Sequence, residues 1–417
     1  MILEFSCSNH RSIKNKITFS TIATSDNTHQ ESLKNFSGNN VLPSAIIYGA
    51  NGSGKSNFLN ALEFMKELVS QSLHLQPGER INQVPHKLAA LETPSEYDIQ
   101  FTKGDIRYAY GFSIVKKLIK SEYLYYFPNG RKVMIFERSD MQINPGSQYK
   151  TAFELANDAL KENRLFLSCA ANFTNLGEII NAFKFFNEDV VIYKPNMNNW
   201  TVYSINLMKD NDEIKKIFID ILKALGTGIR DADLDIEQVT VEDLPPEIPK
   251  EIKNLISSKS LPGTRFKVKI VYDKFETDLM NEESAGIKKL FELICPVIDI
   301  ISNGKVLICD ELEANLHESL VYQLVKLFQY GKKEQFAQLI FSTHDTSLLD
   351  SRLFRRDQIW FTQLDNDRST DLYSLAEIRN VRKTENLERG YISGKYGAIP
   401  MLNKKLFQFF DMKNEKN

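Results

Sequence analysis

The chain has 417 residues, 42% of them hydrophobic and 25% charged, proportions that exclude a disordered, fibrous or disulfide-stapled protein. Lys+Arg number 52 and Asp+Glu 54, so no global basic excess announces nucleic acid, and any DNA-contacting surface must be local. Two or three structural units are expected on a prior of about 100–200 residues per domain. The N-terminal Met1-Ile2-Leu3-Glu4-Phe5 carries an acid early and has no basic stretch leading into a long apolar one, so no signal peptide is expected. No run approaches the roughly 18 apolar residues that span a bilayer. Cys7, Cys169, Cys295 and Cys309 form no C-x-x-C pair, which argues against a disulfide framework or a structural zinc and fits a reducing cytoplasm.

In chain order, Met1–Phe5 and Ile17–Ile22 predict two short strands ahead of a polar loop over 25–40. Ser44–Tyr48 reads as a buried strand stopping at Gly49, and Asn57–Met65 has helical spacing, so the layout is strand, glycine loop, helix. From Tyr97 to Arg138 apolar and polar residues alternate between turns at Lys103-Gly104, Lys116-Lys117 and Asn129-Gly130, which predicts an antiparallel meander, a β lobe. Between Ala152 and Leu261 helical patterns dominate, clearest at Ile214, Ile217, Phe218, Ile221, Leu222 and Leu225, and Leu244–Pro249 breaks them. This stretch is a helical insertion, without the sustained heptads of a coiled-coil arm.

Arg265–Phe275 alternates again, with Phe266, Val268, Ile270 and Tyr272 on one face. A helix follows from Ser284, with Ile287, Leu290, Phe291 and Ile294 on one stripe. Val306–Cys309 and Leu339–Phe341 are buried strands separated by a helix over Glu318–Tyr330, the pattern of a parallel sheet. Strands over Gln358–Thr362 and Asp371–Leu375 precede a basic, polar tail whose last residues, Met412–Asn417, should fray. The fold class is α/β, with a mixed sheet, an antiparallel β lobe and a helical insertion. The expected units are 1–150, 151–262 (the insertion), 263–350 and 351–417 (terminal strands and tail).

Glycine is sparse, 19 in all, yet Gly49, Gly52 and Gly54 lie almost together. Gly49-Ala50-Asn51-Gly52-Ser53-Gly54-Lys55-Ser56 matches G-x-x-x-x-G-K-[ST] between a strand and a helix, as a phosphate loop requires. Backbone N–H groups of such a loop converge on phosphates and the helix N-terminus adds partial positive charge. Gly49, Asn51, Gly52, Ser53, Gly54, Lys55, Ser56 and Asn57 are therefore expected to hold ATP. Lys55 would reach the β- and γ-phosphates and the Ser56 hydroxyl would ligate Mg²⁺. Val306–Cys309 delivers Asp310 and Glu311 at a strand's C-terminal edge, where open α/β sheets bind ligands. Asp310 would hold Mg²⁺, and Glu311 would orient and deprotonate the attacking water. His344, at the tip of the Leu339–Phe341 strand, is placed to meet the γ-phosphate or that water. Glu282-Glu283-Ser284-Ala285-Gly286 reads by itself as a Ser N-cap with acids at the first turn.

These four sites in this order resemble the ATPase heads of the ABC superfamily, in the branch containing SMC and RecF proteins. Phe5-Ser6-Cys7-Ser8-Asn9-His10-Arg11-Ser12 is similar to that branch's N-[FY]-[RK]-S element, and Glu311-Leu312-Glu313-Ala314-Asn315-Leu316-His317 to its D-loop. The ending, through Asp357–Phe361, Leu372–Leu375 and Tyr391–Pro400, resembles stand-alone bacterial RloA-like ATP-binding proteins of restriction-linked and abortive-infection loci. The resemblance implies a P-loop NTPase head that dimerises around ATP, with Ser284 and Gly286 of one subunit on the γ-phosphate held by the other's Lys55. It implies that Arg11 contacts the α-phosphate or the base. The signature departs from the transporter Ser-Gly-Gly-Gln, and Gln83 and His86 are the candidates for a glutamine loop.

The implied function is an ATPase switch controlling a separately encoded effector, such as a nuclease, in bacterial anti-phage defence. An alternative is an SMC- or RecF-like ATPase acting on DNA in repair, through a basic cluster of Arg352, Arg355, Arg356, Arg379, Arg382, Lys383 and Arg389. A third possibility is a nuclease with its own ATPase. Its candidate metal-ligating motif, the D-x-D of Asp365-Asn366-Asp367, reads rather as a polar turn between strands. A membrane transporter subunit is not expected.

Overall fold

Apolar runs bounded by glycines and charges become the strands of two large sheets. The computed structural model describes residues 1–36, 38–194, 199–238, 264–314, 316–331, 336–382 and 385–399. Among the expectations above, Leu244–Pro249, Asn315, Lys383, Pro400 and Met412–Asn417 lie outside the described residues. The strands are β1 (Ile2–Ser8), β2 (Ile17–Ser20), β3 (Lys34–Phe36), β4 (Asn39–Val41), β5 (Ser44–Gly49), β6 (Ser95–Lys103), β7 (Ile106–Val115), β8 (Leu118–Phe127) and β9 (Val133–Ser139). They continue with β10 (Gln142–Pro145), β11 (Val190–Tyr193), β12 (Asp231–Gln238), β13 (Thr264–Val271), β14 (Glu276–Asp278), β15 (Val306–Cys309), β16 (Gln338–Ser342), β17 (Ile359–Leu364) and β18 (Thr370–Ser374). The helices are α1 (Lys55–Gln71), α2 (Glu154–Ala159), α3 (Phe166–Phe173), α4 (Gly177–Lys184), α5 (Asn199–Asp210), α6 (Asp212–Ala224), α7 (Ala285–Ser302), α8 (Glu318–Tyr330) and α9 (Leu387–Ile392).

The chain divides into two compact units. One comprises the described residues of Met1–Lys194, Asn303–Glu313 and Glu318–Asn417, the other those of Pro195–Ser302 and Ala314–His317.

In the first unit a seven-stranded sheet runs β10-β9-β8-β7-β6-β1-β2, every neighbouring pair antiparallel. It contains the expected meander, and β1 and β2 extend it at one edge. Period-2 alternation sends Tyr97, Ile99 and Phe101 of β6 and Tyr108, Tyr110 and Phe112 of β7 inward. A six-stranded sheet runs β11-β15-β16-β5-β17-β18, parallel except for the β17–β18 pair. One continuous core joins residues of both sheets with Phe58, Leu62, Met65 and Val69 of α1. Phe58 meets Phe5 edge-on with ring centroids 5.9 Å apart and Phe19 at 5.4 Å, both from the antiparallel sheet, and the same core includes Ala45, Ile47 and Ile340 of the parallel sheet.

The second unit carries α5, α6, α7 and the sheet β12-β13-β14. Asn211 caps α6, its Oδ1 accepting from the Glu213 and Ile214 amides at 3.0 and 3.2 Å. Leu290, Phe291 and Ile294 of α7 are buried as their spacing requires, and Phe291 meets Phe218 of α6 at 5.4 Å.

Two strands interrupt the stretch expected to be helical over 151–262. β11 is four residues, too short for periodicity to tell a buried strand from a helical turn, and its register with β15 makes it a strand. β12 alternates aspartates with Ala232 and Leu234, and aspartate is a poor strand former. Its pairing opposite β13 sets Asp233 against Lys269 and Asp235 against Lys267, opposite charges that stabilise cross-strand neighbours.

Candidate functional site

β5 is buried along its whole length between β16 and β17, so the loop that leaves it at Gly49 emerges mid-sheet. Gly54 has φ +109°, and a Cβ there would lie 2.0 Å from Thr370 Oγ1. A Cβ on Gly49 would lie 2.4 Å from both Ser53 Oγ and Thr362 Oγ1, so the loop is packed tightly on its underside. At Gly52, φ +77°, a Cβ would meet nothing within 4 Å; the loop is open there.

Hydroxyl groups brace that underside. Ser53 Oγ and Thr362 Oγ1 share a hydrogen bond of 2.6 Å, Thr370 Oγ1 donates to the Ser53 carbonyl at 3.0 Å, and Ser12 Oγ lies 2.7 Å from Thr370 Oγ1. Asn57 Nδ2 donates to Ser12 Oγ at 2.7 Å. The side chains of Ser53 and Asn57, expected to hold nucleotide, therefore hold the loop. Thr362 and Thr370, to which the sequence assigned nothing, are their partners. From the other side, the buried Tyr391 hydroxyl donates to the Ala398 carbonyl at 3.2 Å and is hydrogen-bonded to the Gly49 backbone, while its ring lies 5.5 Å from that of Tyr48.

Lys55 opens α1 and is only 5% exposed. Its Nζ donates to the carbonyls of Gly49 at 2.8 Å and Ala50 at 3.3 Å. Burial pushes its pKa down, and the nearby carboxylates of Asp310, Glu311 and Glu313 push it back up. Asn51, Gly52 and Ser56 are exposed at the mouth of the loop. No acid stands in the first turn of α1, so nothing on the helix itself neutralises its positive end.

β15, β16 and β5 are neighbours, and their C-terminal ends bring the expected acids and histidine beside the loop. Ser342, the last residue of β16, organises the pair: its Oγ donates to Asp310 Oδ1 and accepts the Glu311 amide at 3.0 Å. Glu311 is exposed and adopts φ +50°, the left-handed conformation a side chain other than glycine rarely takes. The Thr343 amide donates to the Ile47 carbonyl of β5 at 3.2 Å, and the Tyr48 hydroxyl donates to the Asp345 carbonyl at 2.9 Å. Between these anchors His344 is exposed, with its backbone amide donating to Glu313 Oε1 at 2.6 Å.

Arg11 is exposed in the turn closed by the His10–Ile13 bridge, with φ +51°, and its amide donates to the Val84 carbonyl at 2.8 Å. Gln83 is buried; its Nε2 donates to the Asn9 carbonyl at 3.1 Å and to Ser95 Oγ at 2.7 Å. The His86 amide donates to Asn9 Oδ1 at 2.8 Å. Both glutamine-loop candidates thus fasten their segment to the strand end before Arg11. In the second unit, the exposed Ser284 is the N-cap of α7, its Oγ accepting the Ile287 amide at 3.3 Å. Gly286 follows in the first turn, where a Cβ would approach only Ser284 Oγ, at 3.8 Å.

Asp365-Asn366-Asp367 is a turn: Asp365 Oδ1 accepts the Asp367 and Ser369 amides at 2.9 and 2.7 Å, and Asp367 pairs with Lys14 at 2.7 Å. Among the described residues no group of three His, Cys, Asp or Glu is arranged to hold a metal by itself. The expected basic cluster also changes character. Arg355 is fully buried, its Nε and Nη2 on the two oxygens of Asp357 at 2.9 and 2.8 Å and its Nη1 on the Asp26 carbonyl at 2.7 Å. Arg356 pairs with Asp26 at 3.0 Å and Arg352 with Asp350 at 2.8 Å.

The residues fit a nucleotide with its magnesium. The loop is open at Gly52, and Lys55 is a buried cation that, among the described residues, hydrogen-bonds only to backbone carbonyls and touches no carboxylate directly, a place a phosphate would fill. Ser56 and Asp310 bring the hard oxygen donors magnesium takes.

Residues 44–350 match the family model described as "AAA domain, putative AbiEii toxin, Type IV TA system". No curated protein matches the chain. Among solved structures, it is similar to an SMC head bound to the C-winged helix domain of ScpA, with 16% identity, TM-score 0.44, and 89% of this chain and 97% of that one covered. It is also similar to the SMC head domain from Thermotoga maritima, at 11% identity and TM-score 0.43, covering 89% and 98%. A third similar structure is the recombination mediator protein RecF-ATPrS in the RecFOR pathway, at 14% identity and TM-score 0.37, again covering 89% and 98%. Among the described residues no helix is long and apolar enough to cross a membrane. With the family model spanning the glycine loop, the paired acids and the histidine tip, the chain belongs to this AAA-domain family.

Proposed function

We propose that the chain is an ATP-hydrolysing head of the ABC type, in the SMC/RecF-like branch, that closes as a head-to-head dimer around ATP. In this reading it is a nucleotide switch for a separately encoded effector in cytoplasmic bacterial anti-phage defence. The observation that carries it is the convergence of Lys55, Asp310, Glu311 and His344 at the ends of three adjacent strands. The family's description, which names an AbiEii toxin and a type IV TA system, supports the defence setting.

Each residue has a task that its environment suits. The loop amides and Lys55 bind the phosphates, and low exposure strengthens that contact by excluding water. Ser56 and Asp310 would hold magnesium, which when bound would supply positive charge to the phosphate oxygens. Glu311, exposed and fixed at its amide by Ser342, orients water and takes its proton. His344 hydrogen-bonds the γ-phosphate or the water. Arg11 serves the α-phosphate or base, and Ser284 and Gly286 the γ-phosphate of the partner subunit's ATP. ATP binds the closed dimer better than the open chain, which makes its hydrolysis a switch.

The experiment is affinity purification of Glu311→Gln from its native host with ATP present. A co-purifying protein whose association is lost on ATP removal and in Lys55→Ala supports the effector reading. Salt-dependent retention of duplex DNA on a filter, with no protein partner, would favour direct action on DNA instead. Of the arginines invoked for DNA contact, Arg355 is buried on Asp357 and is not available to phosphates, whereas Arg352 stays exposed beside Asp350.

A further inference from the structure

Glu313 stands two residues past Glu311, and its carboxylate does something the catalytic set does not require. Oε1 accepts the His344 backbone amide at 2.6 Å, across a separation of 31 residues. Oε2 is shut off from water and has no hydrogen-bond partner among the described residues. Among the described residues Glu313 has no ion pair, although Lys55 and Tyr48 both lie within its field. A half-exposed carboxylate with a single hydrogen bond, one oxygen shut off from water and no ion pair among the described residues is a poor stabilising device, because shielding that oxygen offsets much of what the one bond contributes.

Geometry supplies another role. Thr343, just before His344, is fastened to β5 through Ile47, and Asp345, just after, receives the Tyr48 hydroxyl. Glu313 grips the residue between them. It does so from the segment that Ser342 joins to β16 through the Glu311 amide and the Leu312 amide at 3.3 Å. We propose that Glu313 is a positioning residue that latches the segment after Asp310-Glu311 to the His344 backbone, fixing the histidine relative to the general base. The inference rests on the ATPase reading for its consequence in turnover, but the latch itself exists without nucleotide.

Hydrogen–deuterium exchange of the nucleotide-free, full-length chain reads the latch directly. Glu313→Ala should cause loss of protection at the His344 amide, whereas Glu313→Gln, which keeps an acceptor oxygen, should retain it. In turnover, Glu313→Ala should lower kcat about 10- to 100-fold with ATP affinity unchanged, and Glu313→Gln should restore most of it. Because the latch acts through His344, adding Glu313→Ala to His344→Ala should cost nothing further. Wild-type exchange at His344 in Glu313→Ala overturns the proposal, as does an additive loss in the double variant. If Glu313→Ala does not fold, Glu313→Asp, one methylene shorter, takes its place with the same expectations. A wild-type chain that hydrolyses no ATP contradicts the ATPase reading alone, and the exchange experiment still decides the latch.

Discussion

Two of the places where the first unit shields charge from water treat it in opposite ways. In the antiparallel sheet Glu122 is fully buried and saturated. It accepts the Phe166 and Leu167 amides at 2.6 and 2.9 Å, the Tyr110 hydroxyl at 3.0 Å and Arg138 Nη1 at 3.4 Å. Arg138 spends further donors on the carbonyls of Asp140, at 2.5 Å, and Lys161, at 3.3 Å. At the ends of the parallel strands, among the described residues, Lys55 hydrogen-bonds only to two carbonyls and Glu313 keeps a shielded oxygen with no partner. Saturation marks the first as structural. The second is charge held ready, stable only because the surrounding sheets over-determine it.

Substitutions should therefore separate stability from binding. Glu122→Ala strands a buried guanidinium and two helix amides and should cost roughly 3–5 kcal/mol in chemical denaturation. The folded fraction should bind ATP as the wild type does. Lys55→Met should do the converse: ATP affinity falls about 100-fold, equivalent to about 3 kcal/mol. Its unfolding free energy should stay within about 1 kcal/mol of wild type, since the cation it removes has no counter-ion in hydrogen-bond contact. If Lys55→Met unfolds the protein, the contrast between the two places fails.

A third buried group sharpens the contrast through pH. His10 is saturated as a neutral ring: Asn60 Oδ1 only accepts, so Nε2 carries the proton towards it at 3.2 Å, and Nδ1 accepts from the Tyr97 hydroxyl at 2.7 Å. Burial lowers its pKa from 6.5 to about 4. The unfolded chain therefore binds the proton first, and stability present above pH 6.5 is lost as pH falls towards 4, by roughly 2–3 kcal/mol. His10→Gln should flatten that slope in urea titrations across this range. The smallest effect is expected at the loop's underside. Thr370→Val removes the bond to the Ser53 carbonyl and should cost about 1 kcal/mol, with only a few-fold loss of ATP affinity.

Much of this was legible in the sequence because its signals are local. The buried run Ser44–Tyr48, the glycines after it and the helical spacing beyond lie within about twenty residues, and Val306–Cys309, Glu318–Tyr330 and the strand around Leu339–Phe341 are bounded by polar residues. What escaped was long-range or short. Thr362 and Thr370 meet Ser53 across separations of 309 and 317 residues, and a threonine in a terminal strand carries no mark of such a contact. β11 is too brief for its period to be read. The arginines of the terminal region looked like a basic surface because charge in a sequence says nothing of burial, and Arg355 is buried completely.

The central claim is that Glu311 is the base of an ATPase whose nucleotide is held by other residues. Steady-state phosphate release by the wild type and Glu311→Gln, measured beside equilibrium ATP binding by the same proteins, tests it most directly. The account predicts a loss of turnover of at least about 100-fold with ATP affinity retained and the dimer trapped. Unchanged turnover in Glu311→Gln, or ATP binding lost together with turnover, would contradict it.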